Sequence, residues 1–441
     1  MIVMKFGGTS VGNAERIRNV ADIVKSYIKR KPIVVVSAVT KITDSLIKLA
    51  NECSQGRGDA ALNSIKKAHY EILEQLKLNE KIIEKDIGEL SILVNKAESG
   101  KINAIDAKTL DYFQSFGERM SSKIVAAQLS NIGVKSIAFN SWELGFLTNS
   151  EFGNAEPLEV SYSNIKNRIK ELDAMPVITG FIGKTEQGEI TTLGRGGSDY
   201  TAAIIGSALN AEEIQIWTDV DGIMSTDPKM VSNAKKIDRV SFAEASELAY
   251  FGARVLHPKT ILHAMRKNIP VRVLNSFNIA SGGTLIVNKA ESKNVSVKAI
   301  ARKKDITLIS INSTRMLGAY GFLAVIFNIF NKYKKSVDVV ATSEVSVSLS
   351  VDNDSNIEYI LNELANIGEV KIAKGKAIIC VVGEGLAHVP GIAGTIFSTL
   401  GKSNVNVEMI SFGASKINVT FIVDGKDAER SVKVLHKEYF G

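Results

Sequence analysis

Cysteine, histidine, proline and tryptophan are all scarce in this chain of 441 residues, at two, five, seven and two copies. Cys53 and Cys380 lie far apart, so they form neither a disulfide framework nor a zinc site, and a reducing cytoplasm is the expected compartment. The histidines show no H-E-x-x-H or paired spacing, which argues against a histidine-held metal, and His257, just before a proline, reads as a turn residue. No apolar run is long enough to cross a bilayer, and with the strand-like MIVMKF at its start no signal peptide is expected. Charge of one sign is lacking too: 54 Lys and Arg stand against 47 Asp and Glu, for a net charge of +7. The basic clusters at Lys29–Lys31, Arg302–Lys304 and Lys332–Lys335 are short and scattered, so a nucleic-acid face is not expected. The Walker A spacing and the protein-kinase signatures are both absent. At 45% hydrophobic and 23% charged residues, the composition suits a full core, and the length allows two or three domains.

What the chain does have is a pair of phosphate-type signals between residues 190 and 229. Leu193-Gly194-Arg195-Gly196-Gly197-Ser198-Asp199 is a glycine-rich turn opening a helix, where the backbone approaches a ligand closely and unpaired N–H groups meet an anion. Arg195 offers a planar fork to a carboxylate or phosphate. Asp199 suits a bridging Mg²⁺ or a lysine. Ile214–Trp217 then reads as a buried strand, with Thr218-Asp219-Val220-Asp221-Gly222 leaving its C-terminal end, where open α/β sheets bind ligands. A nucleotide site is expected here. At the N-terminus, Gly7-Gly8 can be a bare tight turn, but Lys5 argues for a phosphate clamp, since a lysine is out of place at the end of a buried strand.

In chain order, residues 15–30 read as an amphipathic helix and 32–39 as a strand ending in the polar turn Thr40–Asp44, the start of a parallel sheet. Residues 59–129 are mostly helical. Phe116-Gly117-Glu118 interrupts that pattern with a glycine ahead of a helix, and Glu118 is either a first-turn acid or a ligand group. Residues 134–149 hold another strand and turn, 176–181 a buried strand, and 242–260 a helix with a boundary at 251–258. The alternation through residue 290 predicts one doubly wound α/β domain. The last third repeats itself: 321–351 aligns with 391–421 without a gap, Gly321 on Gly391, Ile326-Phe327 on Ile396-Phe397 and Val347 on Ile417. Two copies of one βαββ-type module follow. They serve either dimerisation alone or a small amphoteric ligand held at the turns.

Lys5-Phe6-Gly7-Gly8-Thr9-Ser10, the Leu193–Tyr200 turn, Trp217–Gly222 with Thr226-Asp227-Pro228, and Phe251–Pro258 together resemble the aspartate kinases, in the order and spacing of the monofunctional, lysine-sensitive type. The resemblance runs over essentially the whole chain. It implies an amino acid kinase domain over 1–290, a linker over 291–306, and ferredoxin-like ACT domains over 307–375 and 376–441, the two copies being open to interleaving. It also implies phosphorylation of the β-carboxylate of L-aspartate by Mg-ATP to 4-phospho-L-aspartate, the first step toward lysine, threonine and methionine. A homoserine dehydrogenase domain after the second ACT domain is not expected.

The chemistry agrees with the residues. A carboxylate with a free pKa of about 3.9 is already ionised near pH 7, so no general base is needed, and positioning and positive charge must supply the rate. By resemblance, Lys5 holds the transferring phosphoryl group, Gly7 and Gly8 give it amides, and Asp199 orients the lysine. Thr43, Glu118, Phe181, Arg195 and Ser198 match the aspartate positions, with Glu118 on the α-ammonium and Arg195 on the α-carboxylate. Ser37, Thr218, Asp219, Met224, Lys229 and Arg254 match nucleotide positions, with Mg²⁺ carried mainly by the phosphates and no metal site of the protein's own. Three of these depart from the pattern: Met224 replaces a common tyrosine, Lys229 an arginine and Arg254 a lysine. Met316, Gly321, Phe322, Leu323, Ser336, Val337, Asp338, Ser343 and Glu344 match the positions that bind inhibitory L-lysine, in a homodimer or homotetramer built through the ACT domains. Two rivals remain: a kinase for another acid such as N-acetylglutamate, whose acylated nitrogen would leave Glu118 without a charge to meet, and a non-catalytic amino-acid sensor.

Overall fold

The computed structural model describes all residues except Asn103, 253–257, 291–296, 353–356 and 413–416, and leaves aside the side chains of Pro258, Lys259 and Ala387. The chain divides into two compact units, Met1–Ile223 with Asp238–Phe242 and Val255–Ala290, and Met224–Ile237 with Ala243–Arg254 and Glu291–Gly441. Through residue 290 the elements are β1 (Ile2–Phe6), α1 (Ala14–Ser26), β2 (Pro32–Val36), α2 (Ile42–Cys53), α3 (Gly58–Leu76), α4 (Lys81–Glu98), α5 (Ala107–Asn131), β3 (Ser136–Phe139), α6 (Val160–Lys170), β4 (Met175–Thr179), β5 (Ile182–Lys184), β6 (Ile190–Thr192), α7 (Gly197–Leu209), β7 (Glu213–Thr218), β8 (Arg239–Ser241), α8 (Phe242–Phe251), α9 (Pro258–Arg266), β9 (Val271–Asn275) and β10 (Thr284–Val287).

Eight strands of the first unit form one sheet in the order β3-β4-β2-β1-β7-β9-β10-β8. Neighbours are parallel except β9 and β10. β1, β2 and β4 are buried at every position, as parallel strands covered by helices on both faces must be. Strand alternation then sorts side chains between the faces. Ile2, Met4 and Phe6 join the apolar cluster built with α1–α5, whereas Val3 lies toward α7 at Gly206. Lys5 shares the parity of Val3. The chain winds away from β1 in one direction through β2 and in the other through β7, so a topological switch point lies between β1 and β7.

The expected break at Phe116-Gly117-Glu118 does not occur: α5 runs unbroken from Ala107 to Asn131. The glycine answers a packing need instead. A Cβ on Gly117 would lie 2.7 Å from the Ala38 Cβ, so only glycine lets α5 come this close to the turn after β2. The helical stretch expected over 242–260 holds α8, which ends at Phe251, and α9, which starts at Pro258, the two limits of the expected boundary; His257 and Arg254 lie outside the described residues.

The second unit continues with β11 (Ala299–Asn312), α10 (Phe322–Lys332), β12 (Val340–Thr342), β13 (Ser346–Asp352), α11 (Ile357–Leu364), β14 (Glu369–Val382), α12 (Ile392–Lys402), β15 (Val407–Ser411), β16 (Asn418–Asp424) and α13 (Ala428–Phe440). Its antiparallel sheet has the order β12-β13-β11-β14-β16-β15. The repeat shows in the helices: Gly321 and Gly391, at φ 78° and 79°, cap α10 and α12 in the same left-handed conformation. One apolar cluster gathers β11, β13, α10 and α11, and another gathers β14, β16, α12 and α13. Both long central strands serve both modules. Residues 306–312 of β11 pair with β13, whereas 299–303 pair with 378–382 of β14. The expected linker over 291–306 is therefore strand from Ala299 onward, because the second module needs this segment as its edge partner.

Candidate active site

A lysine in a strand with no exposed position requires a counter-charge. Parity points Lys5 toward the α7 face, and the first turn of α7 supplies Asp199, whose Oδ1 lies 2.6 Å from the Lys5 Nζ. Both side chains are nearly buried, at 11% and 13% exposure. An acid in a first helical turn also faces the positive end of the helix dipole. Gly196, at φ 72°, caps α7.

α5 contributes Glu118 from the other side. The close approach at Gly117 brings the Glu118 carboxylate to the Ala38 amide, which donates to Oε1 at 3.0 Å. Oε2 is buried with no hydrogen-bond partner among the described residues. Burial pushes this carboxyl up to about 8, against the opposing pull of the Ala38 amide and the Lys5 charge. A buried carboxylate with one idle oxygen is a receptor for a cationic group.

These groups meet at one cavity of about 550 Å³, lined by Lys5, Gly8, Ser37, Thr43, Glu118, Phe181, Arg195, Ser198 and Asp199 among others, a volume suited to a small ligand. Arg195 stands exposed between β6 and α7. Phe181 holds a left-handed backbone at φ 66°. Its amide donates to Thr201 Oγ1 at 3.1 Å and its carbonyl accepts from Leu193 at 2.9 Å, bonds that offset the strain of that conformation.

Gly7 corrects one expectation. Its N–H donates to the Trp217 carbonyl at 3.1 Å and is not free for a phosphate. The Ser37 amide is likewise spent on Phe6 at 3.1 Å, although the residue lines the cavity. Thr218 and Asp219 leave the C-terminal end of β7, next to β1, where the Thr218 hydroxyl donates to Asp219 at 3.2 Å. Met224 and Lys229 belong to the second unit. Sequence reasoning missed Asp111, Gln114 and Lys41, which line the cavity. The signal for the first was its place seven residues, two helical turns, before Glu118.

In the second unit, Met316, Phe322 and Val337 pack against the first module's apolar cluster. Leu323, Ser336, Ser343 and Glu344 are exposed, as is Gly321. Asp338 is already engaged: Lys303 Nζ lies 2.9 Å from both of its oxygens and the Tyr250 hydroxyl donates to Oδ1 at 2.6 Å. Its side chain is 2% exposed.

The doubly wound sheet lies in a segment, residues 1–275, that matches the model of the amino acid kinase family, and a model of the ACT domain matches residues 379–439. Aspartokinase 1, chloroplastic, of Arabidopsis thaliana is 41% identical over 99% of this chain and 80% of its own length. The crystal structure of Escherichia coli aspartokinase III with aspartate and ADP in the R-state superposes at a TM-score of 0.87, with 37% identity and all of both chains covered. The same enzyme with lysine and aspartate in the T-state gives 0.80, again with 37% identity over both whole chains. The chain belongs to the aspartokinases of this family.

Proposed function

We propose that the protein transfers the γ-phosphoryl group of ATP to the β-carboxylate of L-aspartate, giving 4-phospho-L-aspartate and ADP, and that L-lysine bound in the first C-terminal module lowers this activity. The observation that carries the reading is the meeting of Glu118, with its idle oxygen, and the buried Lys5–Asp199 pair at one cavity. Glu118 receives the α-ammonium and Arg195 the α-carboxylate, which leaves the β-carboxylate for the phosphoryl group. A carboxylate oxygen attacks the γ-phosphorus, the bond to ADP breaks, and no proton has to move. Lys5, held by Asp199, follows the phosphoryl charge through the transfer. Gly8, Ser37, Thr218 and Asp219 lie toward the nucleotide. Mg²⁺ would arrive on the nucleotide phosphates, whose charge it neutralises.

Support for lysine as effector comes from the match to the lysine-bound structure and from the carboxylate of Asp338, which here holds an ammonium group of the chain itself. Leu323, Val325 and Phe327 leave apolar surface on α10, at 39–46% exposure, suited to a homodimer or homotetramer formed through these modules. The buried, unpaired Cys53 and Cys380 suit a reducing cytoplasm, and no helix among the described residues is long and apolar enough to cross a membrane.

The test is aspartate-dependent acyl-phosphate formation from Mg-ATP, trapped with hydroxylamine, run with no effector, with lysine, with threonine and with both. Turnover suppressed by lysine alone is expected. No turnover with aspartate would overturn the kinase reading, and turnover indifferent to lysine would overturn the effector.

A further inference from the structure

Asp111 lies two turns before Glu118 on α5, buried at 1% exposure, and lines the same cavity. Its Oδ2 accepts from the backbone amides of Gly153 and Thr192, both at 2.8 Å, and its Oδ1 accepts from the Thr192 hydroxyl at 2.7 Å. No cation is paired with it among the described residues. The donors are informative. Thr192 ends β6, three residues before Arg195, and the Gly153 carbonyl lies 3.0 Å from where a Cβ on Gly194 would stand. Two segments, one leading into the Arg195 loop and the other packed against it, are thus tied to α5 through one carboxylate.

We infer that Asp111 is a positioning residue of the amino-acid subsite: it sets the spacing between Arg195 and Glu118, and so between the groups that read the two charges on the α-carbon. This rests on the assignment of Glu118 and Arg195 to the α-ammonium and α-carboxylate. The inference follows from where the bonds lead. Removing the carboxylate frees the amide of exposed Gly153, which water can satisfy, and the amide and hydroxyl of buried Thr192, which must find other partners by moving. The segment that moves carries Arg195. It does not carry Thr218 or Asp219, so the adenosine end keeps its geometry, and Asp199, four residues beyond Arg195, is fixed in the first turn of α7. A displacement on the order of 1 Å at a positioning group costs about 10²-fold.

The side chain also admits a conservative replacement. In Asp111→Asn the amide oxygen can accept from both backbone N–H groups, while its NH₂ donates to the Thr192 hydroxyl, which can accept. All three links survive and only the charge is lost.

The experiment compares full-length Asp111→Ala, Asp111→Asn and Thr192→Val with the unmodified protein, measuring KM for aspartate, KM for ATP, kcat and the melting temperature. Asp111→Ala is expected to raise KM for aspartate about 10- to 100-fold while KM for ATP stays within about twofold. Asp111→Asn is expected to restore most of the lost affinity. Thr192→Val, which removes one bond and keeps both backbone links, is expected to show the same selective rise at smaller size, and it stands in if the alanine variant does not fold. Equal rises in both KM values, an unchanged KM for aspartate, or an asparagine variant as impaired as the alanine one would each overturn the inference. Absence of aspartate turnover in the unmodified protein would instead overturn the proposed function, so the two failures are distinguishable.

Discussion

Replacing Glu118 with glutamine should stabilise the protein and disable it. The buried carboxyl has its pKa displaced from 4.5 to about 8, and at about 1.36 kcal/mol per pH unit the whole displacement amounts to roughly 5 kcal/mol. The folded protein holds this proton more tightly than the unfolded chain does. Stability therefore falls as pH rises above 4.5 and levels off above about 8. At pH 7.5 the penalty is about 4 kcal/mol. Glutamine cannot ionise, yet it keeps an oxygen for the Ala38 amide. Glu118→Gln should thus match the unmodified protein near pH 4.5 and melt roughly 10 °C higher at pH 7.5, at a few degrees per kcal/mol for a unit of this size. It should also raise KM for aspartate about 10- to 100-fold, the worth of a hydrogen bond to a charged group. In the unmodified protein KM for aspartate should fall as pH climbs toward 8 and Glu118 ionises, and in the variant that slope should vanish. Melting scans from pH 4.5 to 8.5 beside steady-state kinetics check all three points. Equal pH dependence of melting in the two proteins would refute the reasoning, because the idle oxygen would then carry no buried charge.

Other substitutions probe separate links. Lys5→Met should lower kcat by at least about 10²-fold, the loss on deleting one preorganised group that meets developing charge; a decrease below tenfold would remove Lys5 from the transfer. Gly117→Ala should cost about 1–3 kcal/mol by overpacking the contact with Ala38, read as a lower urea midpoint, and an unchanged midpoint would mean that α5 can back away freely. Asp338→Ala should abolish lysine inhibition with uninhibited turnover nearly intact, and Lys303→Met should lower the lysine concentration for half-inhibition by vacating the Asp338 carboxylate. Inhibition curves that overlay the unmodified protein's would contradict the effector assignment.

Local chemistry made much of this readable in the sequence. Apolar runs ending in glycine turns mark the parallel strands, and a lysine at the end of such a run signals a charge with a job. The gapless repeat reappears as two helices capped alike by Gly321 and Gly391. The failures came where partners lie far along the chain. Gly117 looks like a helix breaker until Ala38, 79 positions earlier in the numbering, is seen against it. Asp111 looks like any helical acid, because its donors are 42 and 81 residues away. The Gly7 amide is consumed by Trp217, which no spacing rule anticipates. Asp338 was legible as an ammonium partner, but not the fact that Lys303 already fills that role.

The shared central strands restrict how the C-terminal region can be rebuilt. Residues 299–303, which edge the second module, precede the whole of the first. No single cut separates the two. A truncation near residue 375 would strip the first module of its neighbour, and a graft of 376–441 onto another protein would leave β14 without the strand beside it, a row of open backbone groups inviting aggregation. Exchange of regulatory segments among relatives, by recombination or in the laboratory, should therefore succeed only when the whole cassette travels together, with its upstream junction before Ala299.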